Sequence, residues 1–130
     1  MRITQEADYA VRIIDNLARL GRRLDARTVS ENTGVTLRFT LKIMRKLAIC
    51  NIVKSFKGVQ GGYELAHKPE EINLRQVIEA VDGPIVINRC LTGELPCSRI
   101  DDKRLCYYHN VFANVSETVR NKLEKITFQP

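Results

Sequence analysis

TLRFTLKIMRKLAICNIVKSFKGVQGGYELA, residues 36–66, joins two different periodicities within one short run. Its first part recurs at helical spacing, and Thr36 is a residue that can cap the helix at its start. The spacing predicts a helix to about Cys50, with Leu37, Leu41, Met44 and Leu47 or Ala48 inward and Arg38, Thr40, Lys42, Arg45 and Lys46 on other faces. Asn51 then tolerates the left-handed conformation that stops a helix. From there the pattern changes to two short strands, Ile52–Phe56 and Gly62–Ala66, with the glycine-rich tip KGVQGG between them. A basic helix followed at once by a hairpin reads as the second helix of a helix-turn-helix with a wing behind it.

The residues upstream complete the motif. A second helix is expected from Asp25 or Ala26 to just before Gly34, which supplies the turn. Before it, Thr4 can cap a first helix whose Ala7, Val11, Ile14, Leu17, Ala18 and Leu20 fall near helical spacing, widened by Tyr9, Ala10 and Ile13, and Gly21 ends it. Asp8 reads as a carboxylate favourably placed near that helix's N-terminus. In such a module the second helix lies in a DNA major groove. Arg38, Thr40 and Lys42 are the expected base-edge contacts, and Thr36 and Arg45 the phosphate contacts that position without specifying. Phe39 reads either as core or as a contact to a thymine methyl. On the wing, Lys54, Lys57 and Gln60 are candidate contacts, the glycines allowing close approach to a minor groove. Cys50, in the apolar setting LAICNIV, is expected to be buried.

Charge agrees with this placement. Residues 1–65 hold 12 Lys and Arg against 6 Asp and Glu, whereas residues 66–130 hold 9 of each, so the whole net charge of +6 belongs to the first half. A basic half of this kind is what a polyanion-binding module needs. No apolar run approaches the ~18 residues of a membrane span. The N-terminus carries Glu6 and Asp8 where a signal peptide would be apolar, so a cytoplasmic protein is expected. His67 reads as a surface loop residue. There is no C-x-x-C pair, Walker loop or paired-carboxylate constellation, and no enzymatic activity is expected.

Downstream, Asn73 can cap a connector helix carrying Leu74, Val77, Ile78 and Val81 and ending at Asp82-Gly83-Pro84. A last helix is expected from about Tyr107 to about Ile126. Its stripe of Val111, Phe112, Val115, Val119, Leu123 and Ile126 suits a partner helix. Between these helices lies CLTGELPCSRIDDKRLCYYH, residues 90–109, with the spacing C-x6-C-x8-C-x2-H. Cys90, Cys97, Cys106 and His109 can bind zinc or ligate an iron–sulfur cluster, and the thiols alone could form a reversible disulfide, Cys97 with Cys106 being the expected pair. Cys106 and His109 are three apart at a helix start, so both can face one site. The spacing leaves these three chemistries open.

The segments EADYAVR, NTGVTLRFTLKIMRKL, KSFKGVQGGYELA and INLRQVIEAVDGPI, in that order, resemble the Rrf2 family of bacterial transcriptional regulators over nearly the whole chain. GGYELA and VIEAVDGP are the most characteristic pieces. Lys57 stands where the family usually has arginine, which removes bidentate recognition while keeping the charge. Cys50 and Asn51 stand where small residues are common.

The resemblance implies a mainly α fold with a small β-hairpin wing, a winged helix-turn-helix carrying a long C-terminal dimerisation helix. It implies a homodimer on a palindromic DNA operator, and a division into a DNA-binding domain with connector helix (1–84), a cysteine-rich loop (85–109) and a dimerisation helix with tail (110–130). In the family's cluster-binding branches three cysteines occupy this loop, which favours iron–sulfur over zinc. A histidine three residues after the third cysteine marks the iron–sulfur-assembly branch, as His109 follows Cys106. In the nitric-oxide-sensing branch an aspartate from the other subunit's first helix serves instead, the position of Asp8. The expected cofactor is a [2Fe–2S] cluster with His109, favoured over [4Fe–4S] with Asp8. The alternative is a zinc-stabilised or thiol-switched regulator without a cluster.

Overall fold

In the computed structural model, residues 2–93 and 105–130 are described, and Cys97 lies outside them. Helix α1 spans Gln5–Leu20, α2 Ala26–Thr33, α3 Leu37–Ile49, α4 Leu74–Asp82 and α5 Tyr107–Glu124; strands β1 (Val53–Phe56) and β2 (Gly62–Leu65) lie between α3 and α4. The chain is a winged helix-turn-helix with an added C-terminal helix.

The expected punctuation is realised. Thr4, Asp25, Thr36 and Asn73 cap α1 to α4 by accepting from backbone amides in the first turn. Asn73 and Gln76 form a reciprocal capping box. Gly21 and Gly34 end α1 and α2 in the left-handed conformation, and Asn51 takes φ 60° after α3.

One core joins these elements. Ala7, Ala10, Ile13, Ile14 and Leu17 of α1 meet Val29 of α2, Ile43, Met44 and Leu47 of α3, and Val77 and Ile78 of α4, all buried. The inner face of α3 differs from the expected one. Ile43 and Thr40 are fully buried and Leu41 is 44% exposed. The helix is therefore rotated so that Thr40 and Ile43, not Leu41, face inward. Cys50 is exposed rather than buried, because the chain turns at Asn51 just beyond it and leaves the helix end outside the core.

The wing is antiparallel, with Lys54 opposite Glu64 and Phe56 opposite Gly62. It does not stand alone. Leu24, between α1 and α2, bridges to Tyr63, its amide donating to the Tyr63 carbonyl at 2.9 Å and its carbonyl accepting from the Tyr63 amide at 2.7 Å. Gly62 makes this crossing possible. Its φ is +143°, and a Cβ there would lie 2.4 Å from the Leu24 carbonyl oxygen.

α5 returns to the module. Val119 and Leu123, expected on a stripe for a partner helix, pack against the chain's own core, while Val115 and Ile126 are exposed. Fully buried Ser116 accepts from the Ile87 amide at 3.0 Å, and Arg120 donates to the Ile85 carbonyl at 2.8 Å. The tail follows α4's start: the Leu74 amide donates to the Ile126 carbonyl at 2.9 Å, and Phe128 is buried.

Candidate DNA-binding face and cysteine–histidine site

Rotation of α3 selects which side chains face outward. Arg38, Lys42, Arg45 and Ile49, at steps of four, three and four, lie opposite the buried Thr40, Ile43, Met44 and Leu47. Three of the expected contact residues therefore share one exposed basic ridge. Thr40 does not join them. It is 0% exposed, with its hydroxyl 3.5 Å from the Val35 carbonyl, and presents no atom to a groove. Thr36 is exposed, its hydroxyl oxygen accepting from the Phe39 amide at 3.3 Å, which leaves the hydroxyl hydrogen for an outside acceptor.

Lys46 belongs to the interior side. Its ammonium lies 2.9 Å from Glu6 Oε1 of α1 and donates to the Val81 carbonyl of α4 at 3.4 Å. Lys42 is 3.9 Å from the same carboxylate oxygen and 5.9 Å from the Phe39 ring centroid, with its side chain 57% exposed. Phe39 is half-exposed and meets Tyr9 edge-on at 6.1 Å, so it is a packing residue with one open edge. Leu41, read as core in the sequence, lies exposed beside the ridge, and an apolar side chain there can meet a thymine methyl.

Lys54, Lys57 and Gln60 are all exposed on the wing, and Val59 caps the tip fully exposed. The tip closes through the Gly61 amide donating to the Gly58 carbonyl at 2.9 Å. Sequence reasoning missed Arg23. Its guanidinium carbon sits 3.4 Å from the Phe56 ring centroid, and Nη1 donates to the Gln60 carbonyl at 3.2 Å. Ridge and wing tip therefore offer arginine, lysine and amide donors with few acids among them, the chemistry that phosphates and base edges accept.

The second constellation forms where the loop leaves and re-enters the helices. Cys90 lies in a 3-10 turn, Arg89–Leu91, and His109 in the first turn of α5; nineteen residues apart, they meet with Nδ1 3.4 Å from Sγ. Cys106 stands at the N-cap of α5, one turn before His109, and all three side chains are half-buried. Among the described residues no three histidine, cysteine or acidic side chains form a metal-type group. Asp8 is apart from this pair, held by Arg12 at 3.0 Å on its own helix.

Over residues 3–130 the chain matches the Rrf2 family model, described as iron-dependent transcriptional regulators. It belongs to the Rrf2 family. An Rrf2-like helix-turn-helix regulator of Rhodobacter capsulatus is 28% identical over 134 residues, covering 98% of this chain and 89% of that protein. The IscR regulator of Aliivibrio salmonicida is 28% identical over 129 residues, covering 98% of this chain and 74% of its own. The solved structure of CymR, the global cysteine regulator of B. subtilis, has the same fold, with a TM-score of 0.75 at 21% identity over 99% of this chain and 94% of that one. This Rrf2 protein is accordingly a transcriptional regulator and not an enzyme. Among the described residues no helix is long and apolar enough to cross a membrane.

Proposed function

We propose that this Rrf2 regulator acts in the cytoplasm as a homodimer on a palindromic operator, its affinity set by an iron–sulfur cluster held by Cys90, Cys97, Cys106 and His109. The observation that carries the reading is the meeting of His109 Nδ1 and Cys90 Sγ at 3.4 Å across the cysteine loop, with Cys106 beginning the same helix as His109. Soft thiolates with one imidazole are a donor set that fits such a cluster. The family's description as iron-dependent and the likeness to IscR support it. We propose [2Fe–2S] with His109 over [4Fe–4S] with Asp8, because His109 Nδ1 already lies at Cys90 Sγ whereas Asp8 pairs with Arg12 on its own helix.

When bound, the cluster supplies a link between thiols whose persistence depends on iron and redox state. The chain supplies the rest. Residues 85–87, which lead to Cys90, are tied to α5 through Ser116 and Arg120 and to α4 through the Ile85 amide on Glu79 Oε2 at 3.1 Å. α4 in turn meets α3 through Lys46 on the Val81 carbonyl. Loop order therefore biases how α4 and α5 sit, and affinity changes only by the difference in stability between those placements.

Residues 1–84 serve as the DNA-binding domain with its connector helix, 85–109 as the sensing loop and 110–130 as the dimer helix and tail. Arg38 and Lys42 contact base edges, Thr36, Arg45 and Lys54 contact phosphates, and Lys57 and Gln60 enter the minor groove. Exposed Val115 and the tyrosines at the start of α5 supply apolar surface for the second copy.

Anaerobic purification tests the reading. The protein should be coloured and carry iron with acid-labile sulfide, and its affinity for operator DNA should change when the cluster is removed. Colourless protein with one zinc per chain rejects the cluster. Colourless protein whose DNA binding returns with reductant alone, and whose oxidised form bridges Cys97 and Cys106, identifies the thiol switch.

A further inference from the structure

We infer that Arg23, which belongs neither to the wing nor to the recognition helix, is the positioning residue that holds the wing tip where Lys57 can engage DNA. The inference rests on the reading that the wing contacts DNA and adds the residue on which that contact depends.

The wing needs outside support. Its strands are four residues each, and an isolated hairpin of that size is marginal in water. Beyond Phe56 and before Gly62 the tip is held within itself by the Gly61–Gly58 hydrogen bond. Lys57 and Gln60 are exposed, so packing does not fix where they point.

Arg23 reaches all three parts of the hairpin. Over the last residue of β1 its guanidinium stacks 3.4 Å from the Phe56 ring centroid. On β2 its Nε is 3.7 Å from Glu64 Oε2, an ion pair too long for a hydrogen bond. At the tip Nη1 donates to the Gln60 carbonyl. One planar group thus fixes the end of β1, the face of β2 and the return of the tip. Lysine cannot reproduce this, since a point charge does not lie flat on the Phe56 ring while donating from its edge to the Gln60 carbonyl.

The arrangement is built rather than incidental. Arg23 Nε is itself buried without a hydrogen-bond partner, a cost a freely solvated arginine would avoid. The neighbouring Leu24 is bridged to Tyr63, which fixes the backbone from which Arg23 extends. Gly62 leaves room for that bridge. The wing is anchored by backbone at Leu24 and by side chain at Arg23, and the side chain holds the part nearest the tip.

A double-mutant cycle on Arg23 and Lys57 tests this, with a fluorescent duplex selected from a random pool by the parent protein. Lys57→Ala should weaken binding about five- to tenfold and lower the salt slope by about one. Arg23→Ala should do the same, and Arg23→Ala with Lys57→Ala should be no weaker than either alone, because the tip is already misplaced. Arg23→Lys should resemble Arg23→Ala, with a thermal midpoint close to the parent's. Multiplying effects in the double variant overturn the inference. Parental affinity in Arg23→Lys also overturns it, showing that Arg23 meets phosphate as a charge. If Lys57→Ala binds like the parent, the wing reading fails and the inference with it. That outcome is told from the others by the single variant.

Discussion

Lys46 of the recognition helix lies 2.9 Å from Glu6 Oε1 of α1, with Lys46 35% and Glu6 20% exposed at the side chain. The contact is an ion pair without hydrogen-bond geometry, since Oε1 is buried with no hydrogen-bond partner. Its stabilisation is therefore Coulombic, set against the cost of desolvating both groups. In a partly buried pair of this kind, removing one charge costs more than removing both. Lys46→Met should lower stability by about 1–2 kcal/mol in urea unfolding, and Glu6→Gln added to it should recover part of the loss. If Glu6→Gln leaves the stability of the Lys46→Met variant unchanged, the orphaned carboxylate carries no penalty and the Coulombic reading fails.

Rotation of α3 divides neighbouring residues by role. Arg38 is exposed on the basic ridge and Thr40, two residues on, is fully buried. Arg38→Ala should relax base preference at one operator position, with a loss of about 1–3 kcal/mol for the preferred sequence. Thr40→Val keeps the shape and removes a hydroxyl that lies a long 3.5 Å from the Val35 carbonyl. It should leave sequence preference unchanged, with its effect confined to stability. Sequence selection from a random pool with each variant reads both outcomes.

How far α3 was legible follows from its composition. Leu37, Leu41, Ile43, Leu47 and Ile49 surround the helix, so apolar spacing alone fits two inner faces about a turn's fraction apart. The helix ends were legible because capping residues act locally, whereas the rotation is decided by what α1 and α4 present. Cys50 was misread for the same reason: apolar neighbours in sequence do not tell which way the chain turns at Asn51. The Leu24–Tyr63 bridge and Arg23's reach to Phe56 join distant residues without any periodic pattern, and nothing local signals them. In the cysteine loop the ligand types were visible. That Cys90 and His109 belong to one ligand set was legible as well, but the 3.4 Å at which they meet is set by how residues 85–87 dock on α5.

Asp25 gives a pH prediction. Its carboxylate caps α2 by accepting from the Thr28 amide at 2.9 Å. Hydrogen bonding to Thr28, with the charge of Arg27 adding to it, holds its pKa below the usual aspartate value. A depressed folded-state pKa means that the unfolded chain binds the proton first. This contribution is fully present above the unfolded pKa, near about pH 4, and is lost as pH falls through the lower folded value. Asp25→Asn retains a capping oxygen that does not titrate. Its thermal midpoint should fall less steeply than the parent's on acidification below about pH 4 and match it in slope near neutrality.

The fourth ligand can be decided within one set of variants. His109 Nδ1 already lies 3.4 Å from the sulfur of Cys90, one of the proposed ligands. Asp8 would first have to leave Arg12, with which it pairs at 3.0 Å on a half-exposed surface. An exposed pair of this kind is worth at most about 1 kcal/mol, so its loss is affordable and energetics alone do not exclude aspartate. Spectroscopy separates the two. An imidazole ligand replaces thiolate on one iron and alters the visible absorption and the reduction potential, whereas a carboxylate does not add nitrogen to the iron shell. His109→Cys should therefore retain a cluster with a changed spectrum and a lower potential. His109→Ala should lose iron and sulfide, and Asp8→Ala should retain both. The opposite pattern, cluster lost with Asp8→Ala and kept with His109→Ala, would assign the fourth position to Asp8 of the partner subunit.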